Sequence, residues 1–467
     1  MSLVNDAEDT HQEIELGEIS LHGDFQNVRT LSEESIIAVA PEGGNSHCFG
    51  ASVNFVNSIV GSGIISLSFA LKETGFFMGL ILFVIVPSLT YFSVNILISC
   101  GLHSNSPSYE GLAEFCFGRK GFYIVSAFML VFAFGAMCSY LIIVGDTVTL
   151  VVKNVFGKTI SRELTIFLFA LIVILPLCLL KDMAKLSFSS LVSVSADIAI
   201  VIIVLVETGT GADAWETEHD DLPIDTTLKF FGPSLFAGIG AMSFAFVCQH
   251  SCFIVFNTLS SPTYGNWKKV NNYSVTVATV ASLMLALGGY LTFYDQTLPN
   301  LLNNYSDTNL AVNIARFMLA LTMVFTFPME QFVTRHSLYA LISGYSPEVE
   351  GPKSMTNRYH YGLTLLLWGS SLCVGLLVDD LGFILELTGA FGASFLGYIL
   401  PSMCYFKLFS FRGLLNKSIG AWRQSSPHYK TTVSERLSAF NAFFPALGML
   451  MFGVVAMIIG TVESFMN

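Results

Sequence analysis

From residue 48 onward the chain is a succession of long apolar runs separated by short polar or Pro/Gly-containing stretches. About eleven runs can be drawn, at 48–71, 76–100, 121–151, 164–180, 186–206, 230–256, 273–293, 310–333, 361–378, 381–406 and 437–462. At a rise of about 1.5 Å per residue, roughly 20 such residues cross a hydrocarbon core about 30 Å thick. The pattern predicts an all-α integral membrane protein of about eleven transmembrane helices. Residues 1–47 are polar and acidic, with no basic stretch leading into an apolar one. No cleaved signal peptide is expected there, and the first run acts as the insertion signal. The expected partition is an acidic, disordered tail at 1–47, a transmembrane domain at 48–463 and a short tail at 464–467.

Two runs depart from the pattern. The first, "NFVNSIVGSGIISLSFALKETGF" from Asn54, holds Gly61-Ser62-Gly63 at its middle, with Asn54, Asn57, Ser58, Ser66 and Ser68 around it. Glycines in such a place can serve close helix packing. They can also let the helix unwind, which hydrocarbon tolerates only where the chain lines a cavity or is buried in protein. Unwinding leaves free N–H groups for an anion and free carbonyls for a cation. The sixth run, "GIGAMSFAFVCQHSCFIVF", favours the second reading. It places Ser243, Cys248, Gln249, His250 and Ser251 within an otherwise apolar helix. Runs one and six hold matching places in two five-helix halves, the pattern of an inverted-repeat transporter with its site at the midplane.

Composition narrows the class further. Hydrophobic residues make up 53% of the chain and charged residues 12%, with a mean hydropathy of +0.64. The net charge of −12 comes from acids spread over the tail and the 213–225 loop, so no nucleic-acid partner is read from it. Nine cysteines occur singly without metal-ligand spacing and are expected to pack rather than to pair. Lys and Arg favour one set of alternate connections by about three to one, which predicts a cytosolic N-terminus. Asn304-Tyr305-Ser306 then falls on the far side as a glycosylation candidate, and Asn272-Tyr273-Ser274 in the cytosol.

The stretches "NSIVGSGIISLSFAL", "DTVTLVV", "LPLCLLKDMAKLSFSSLVS", "SFAFVCQHSCFIVF" and "TFPMEQFVTR" resemble the amino acid/auxin permease family. Within it they look most like the sodium-coupled neutral amino acid transporters and the fungal vacuolar amino acid transporters. The resemblance implies the five-plus-five inverted-repeat fold of the leucine transporter, with broken helices 1 and 6. It implies a neutral amino acid as substrate, carried by secondary active transport with alternating access and no cofactor. The substrate would meet Asn57, Ile59, Gly61, Ser62 and Gly63 in the first helix. In the sixth it would meet Ser243, Phe244, Ala245, Phe246 and His250. Backbone N–H groups of Ser62 and Gly63 would receive its carboxylate. Sodium-coupled members use an Asn of the first helix and a Thr of the eighth, which maps onto Asn57, with Val60 beside it, and onto Thr322, or Thr326 as the alternate.

Ionisable residues inside the runs are costly and often functional. Asp197 and Glu386 are candidates for proton coupling, or for a buried pair or kink. Asp146 and Arg316 could gate or anchor, and His250 could sense pH or satisfy exposed backbone. The coupling ion is expected to be sodium, with the proton as alternative. The membrane is expected to be the plasma membrane or a vacuolar or lysosomal one. A receptor that binds amino acid and transports little remains a second reading, which the acidic tail would serve. An ion channel would need a charged ring repeated by symmetry, and an enzyme a nucleophile motif or paired carboxylates.

Overall fold

The computed structural model describes residues 46–180, 187–208, 224–344, 355–409 and 429–466. The predicted acidic tail at 1–47 lies almost wholly outside these residues. The helices are α1 (Cys48–Ile59), α2 (Leu67–Thr74), α3 (Phe76–Ser104), α4 (Tyr109–Phe156), α5 (Arg162–Phe169), α6 (Leu175–Cys178) and α7 (Ser187–Val206). They continue as α8 (Leu235–Phe246), α9 (Gln249–Thr258), α10 (Tyr264–Phe293), α11 (Leu310–Ser343), α12 (Asn357–Leu377), α13 (Leu381–Thr388), α14 (Leu400–Leu408) and α15 (Tyr429–Met466). Each apolar run is occupied by helix. Among the described residues, eight helical segments are long and apolar enough to cross a membrane, α8–α9 counting as one, or nine if the α1–α2 pair, bent by 47°, is taken as one span. The run at 164–180 is α5 and α6 joined by a π turn at Ala170–Ile174, and the run at 186–206 is α7. Helix α15 continues through Met466, since nothing in "VESFM" breaks a helix.

Local chemistry explains the ends. Ser108, Ser161, Asn309 and Asp380 each accept a backbone N–H at the start of a helix, from Gly111, Leu164, Val312 and Phe383 respectively. Gly344, at φ 63°, closes α11 in the left-handed conformation. A short helix around Glu110 and Glu114 opens α4, and Gly118 (φ 67°) separates it from the longer, apolar part.

The two interrupted spans, α1–α2 and α8–α9, pack together at the centre, where α2 runs against α8 and α1 against α9. They are tied at both ends. Ser46 N donates to Thr258 O and Ser260 N to Ser46 O at one end, and Ser234 N donates to Glu73 O at the other. Helices α4 and α11 pack along much of their lengths, and α7 lies against both α1 and α11. This gives a core of interrupted spans held beside a frame of continuous ones.

Candidate functional site

Both interruptions fall at the same depth and face each other. Helix α1 ends at Ile59, and the chain turns through Val60 and Gly61 into a 3-10 turn at Ser62–Ser66. The opening N–H groups of that turn have no partner within their own helix. Helix α8 ends at Phe246, Val247 is extended, and α9 begins at Gln249. A Cβ on Gly63 would stand 2.5 Å from Ala245 Cα, so the two backbones touch where each leaves its helix. Only glycine allows that approach.

Around this contact lies a small cavity bounded by Ser58, Ile59, Gly61, Ser62 and Gly63 of the first interruption and Phe244, Ala245, Val247 and His250 of the second. Phe132, Ala136 and Tyr140 of α4 and Glu330 of α11 close the wall. Its free space is about 20 Å³, room for roughly one water molecule. The walls are therefore drawn in, and a larger ligand requires Phe132, Tyr140 or Phe244 to swing away. A roomier recess of about 410 Å³ lies between α4, α12, α13 and α15, but Val131, Phe134, Phe391 and Phe465 make it apolar and no charged side chain borders it.

Seven of the predicted substrate residues border the cavity: Ile59, Gly61, Ser62, Gly63, Phe244, Ala245 and His250. Three do not. Phe246 stacks edge-on with Phe83 of α3 at 6.1 Å, because a helix turns about 100° per residue and Phe244 and Phe246 point apart. Ser243 neighbours Tyr398, and Asn57 is buried off the wall. Ser62 Oγ is 3.1 Å from Ser139 Oγ, which fastens the 3-10 turn to α4.

The residues missed by sequence reading are Ser58, Phe132, Ala136, Tyr140, Val247 and Glu330. Their signal was periodicity: Phe132, Ala136 and Tyr140 recur every four residues on α4, and Val247 lies three after Phe244. Glu330 continues the face of α11 that carries Thr322 and Thr326. His250 Nε2 is 3.6 Å from Glu330 Oε1. Tyr140 neighbours Thr326 and is acted on electrostatically by Glu330 and Asp197.

Among the predicted cation ligands, Asn57 Oδ1 and Thr322 Oγ1 are buried without a hydrogen-bond partner. Thr326 differs, since its hydroxyl donates to Thr322 O at 2.9 Å. Such orphaned oxygens are uncommon and call for a reason. Each is a neutral hard oxygen of the kind that a small hard cation takes.

The other ionisable candidates separate clearly. Asp197 is 4% exposed and neither carboxyl oxygen has a partner. Glu386 is off the cavity, with Glu73, Asp380 and Glu463 as its charged neighbours. Asp146 accepts from Arg162 Nε at 2.8 Å, and Arg162 also binds Asp379 at 2.7 Å, an anchor among α4, α5 and the start of α13. Arg316 does not snorkel: it is fully buried and donates to Leu302 O, Tyr305 O and Asn313 Oδ1. Asn304 is 2% exposed, its Oδ1 accepting from Leu298 N and its Nδ2 donating to Gln296 O. In this conformation the amide nitrogen of the glycosylation candidate is enclosed and in use.

Two centrally broken spans, clamped to each other and framed by continuous helices, define a membrane transporter of the leucine-transporter architecture. Two solved transporters share the fold. One is Mhp1, a nucleobase-cation-symport-1 family transporter in a closed conformation with bromovinylhydantoin bound (TM-score 0.53, 12% identity, 94% of this chain and 96% of that one). The other is MhsT in complex with L-phenylalanine (TM-score 0.50, 13% identity, 91% and 100%). The chain belongs to the transmembrane amino acid transporter protein family, whose profile matches residues 44–419. It is 34% identical over 398 residues to a mouse protein provisionally designated sodium-coupled neutral amino acid transporter 11, covering 83% of this chain and 84% of that one. It is 26% identical over 392 residues to vacuolar amino acid transporter 2 of Saccharomyces cerevisiae, covering 81% and 78%.

Proposed function

We propose that this protein is a secondary active transporter of neutral amino acids that works by alternating access with sodium as its coupling ion. The observation that carries the reading is the meeting of two interrupted helices at Gly63 and Ala245 beside a small cavity. An amino acid needs donors for its carboxylate and acceptors for its ammonium, and two helix breaks supply both from backbone. The names of the mouse and yeast relatives support an amino acid as cargo.

Sodium is favoured over the proton by Asn57 Oδ1 and Thr322 Oγ1, and Thr322 over Thr326, because the first hydroxyl is unspent. The proton route would fall to Asp197, whose buried and unpartnered carboxyl is costly when charged. The Lys and Arg distribution supports a cytosolic N-terminus. Counterflow of labelled leucine in proteoliposomes, with sodium and pH varied separately, tests the whole reading. Exchange that requires internal and external amino acid and rises with sodium is the expected result. Full uptake in sodium-free buffer under an acid-outside gradient, lost in Asp197→Asn, would replace sodium with the proton. Binding without exchange under every condition would point to a receptor.

A further inference from the structure

Glu330 is the lone carboxylate on the cavity wall, which carries no Lys or Arg. A zwitterion balances its own charges and is served by the two helix breaks, so the net negative charge of Glu330 is surplus to a neutral amino acid. In a site of low dielectric that charge needs a cation. The nearest is His250, but the 3.6 Å separation of Nε2 and Oε1 exceeds a hydrogen bond. His250 Nδ1 and Glu330 Oε2 have no partner at all. The pair is thus loosely engaged, and one carboxylate oxygen is idle. The surrounding elements offer no stronger counter-charge: α4 brings the Tyr140 phenol, α7 brings Asp197, and Arg335 on α11 is turned to Cys178 O and Thr364 Oγ1.

We propose that Glu330 sets the charge selectivity of the site, its carboxylate receiving the ammonium, guanidinium or imidazolium of a basic amino acid side chain. His250 is the nearest basic side chain to that carboxylate when the bound amino acid is neutral. The substrate class then extends from neutral to cationic amino acids. The inference rests on the transport reading above.

The test uses the full chain in proteoliposomes, at one pH and one sodium concentration, with labelled leucine as the counterflow substrate. L-lysine competes against L-norleucine, which has nearly the same shape without the ammonium. The readout is the ratio of their half-inhibitory concentrations. Lysine should compete in the wild type, and Glu330→Gln should shift the ratio against lysine by about tenfold, the scale of one lost charge-assisted hydrogen bond. Glu330→Asp should recover part of the shift, and His250→Gln should move the ratio toward lysine. A merely structural role would weaken lysine and norleucine together. An unchanged ratio in both Glu330 variants, or lysine inert in the wild type and in His250→Gln while norleucine competes, overturns the proposal. If Glu330→Gln does not fold, Glu330→Asp and His250→Gln still decide. Absence of leucine counterflow in the wild type is scored first, and it removes the transport reading itself.

Discussion

The two interruptions at the centre of this protein are built differently. The first, at Val60–Gly61, is held open by small residues, and its turn is fastened to α4 through the Ser62–Ser139 contact. The second is sealed by its own side chain: Gln249 Oε1 accepts Cys248 N at 3.0 Å, while Nε2 reaches Ser93 Oγ and Gly397 O. A capped break has spent its polar groups on the protein, and an open one keeps them for a ligand. The first interruption therefore holds more unspent polar groups at its turn, and the second is a bend pinned at Gln249 that positions Phe244, Val247 and His250.

That contrast can be broken most severely at Gly63. Gly63→Ala puts a methyl into Ala245, an overpacking worth about 1–3 kcal/mol, and leucine exchange should drop to background while the protein still inserts. Gly61→Ala meets only Tyr140 Oη at 3.7 Å and should keep most activity, so equal losses in the two variants would mean the contact is not what matters. Next in size, Asn57→Ala and Thr322→Ala should each raise the sodium concentration for half-maximal exchange about tenfold, as loss of one ligand to a charged group does. Thr326→Ala should do less, and the reverse order would move the cation along α11. Gln249→Leu should lower the thermal midpoint in detergent through about 1–3 kcal/mol of unsatisfied polar groups. A fall in leucine affinity without a fall in stability would show that the second break also faces the ligand. The smallest effect is expected at Phe246, where Phe246→Leu should leave the half-saturating leucine concentration within about twofold while Phe244→Leu raises it, since a side chain on the far face contributes packing alone.

Much of this was legible in the sequence because a bilayer forces the pattern. Gly61-Ser62-Gly63 stands out where hydrocarbon tolerates no idle backbone, and the matched irregularity near Cys248 gave the pairing. What the sequence hid came from distance and direction. Tyr140 and Glu330 reach the cavity on helices far along the chain, and no local pattern says that α4 and α11 will meet there. Phe246 was misplaced by reading neighbours in sequence as neighbours in space. Asn304 carries an acceptor motif, yet a short 3-10 turn at Leu301–Asn304 folds its amide inward, which a triplet cannot reveal.

Arg316 has a consequence for how the chain is made. Three of its acceptors, Leu302 O, Tyr305 O and Asn313 Oδ1, lie within 14 residues of it. These three contacts can form with chain that has only just been synthesised, before α12 to α15 exist, so α11 enters the bilayer with much of the guanidinium already engaged. Replacing Arg316 by Met would remove the charge but abandon those acceptors, and the harm should register as fewer molecules leaving the site of synthesis rather than as weaker transport by those that arrive.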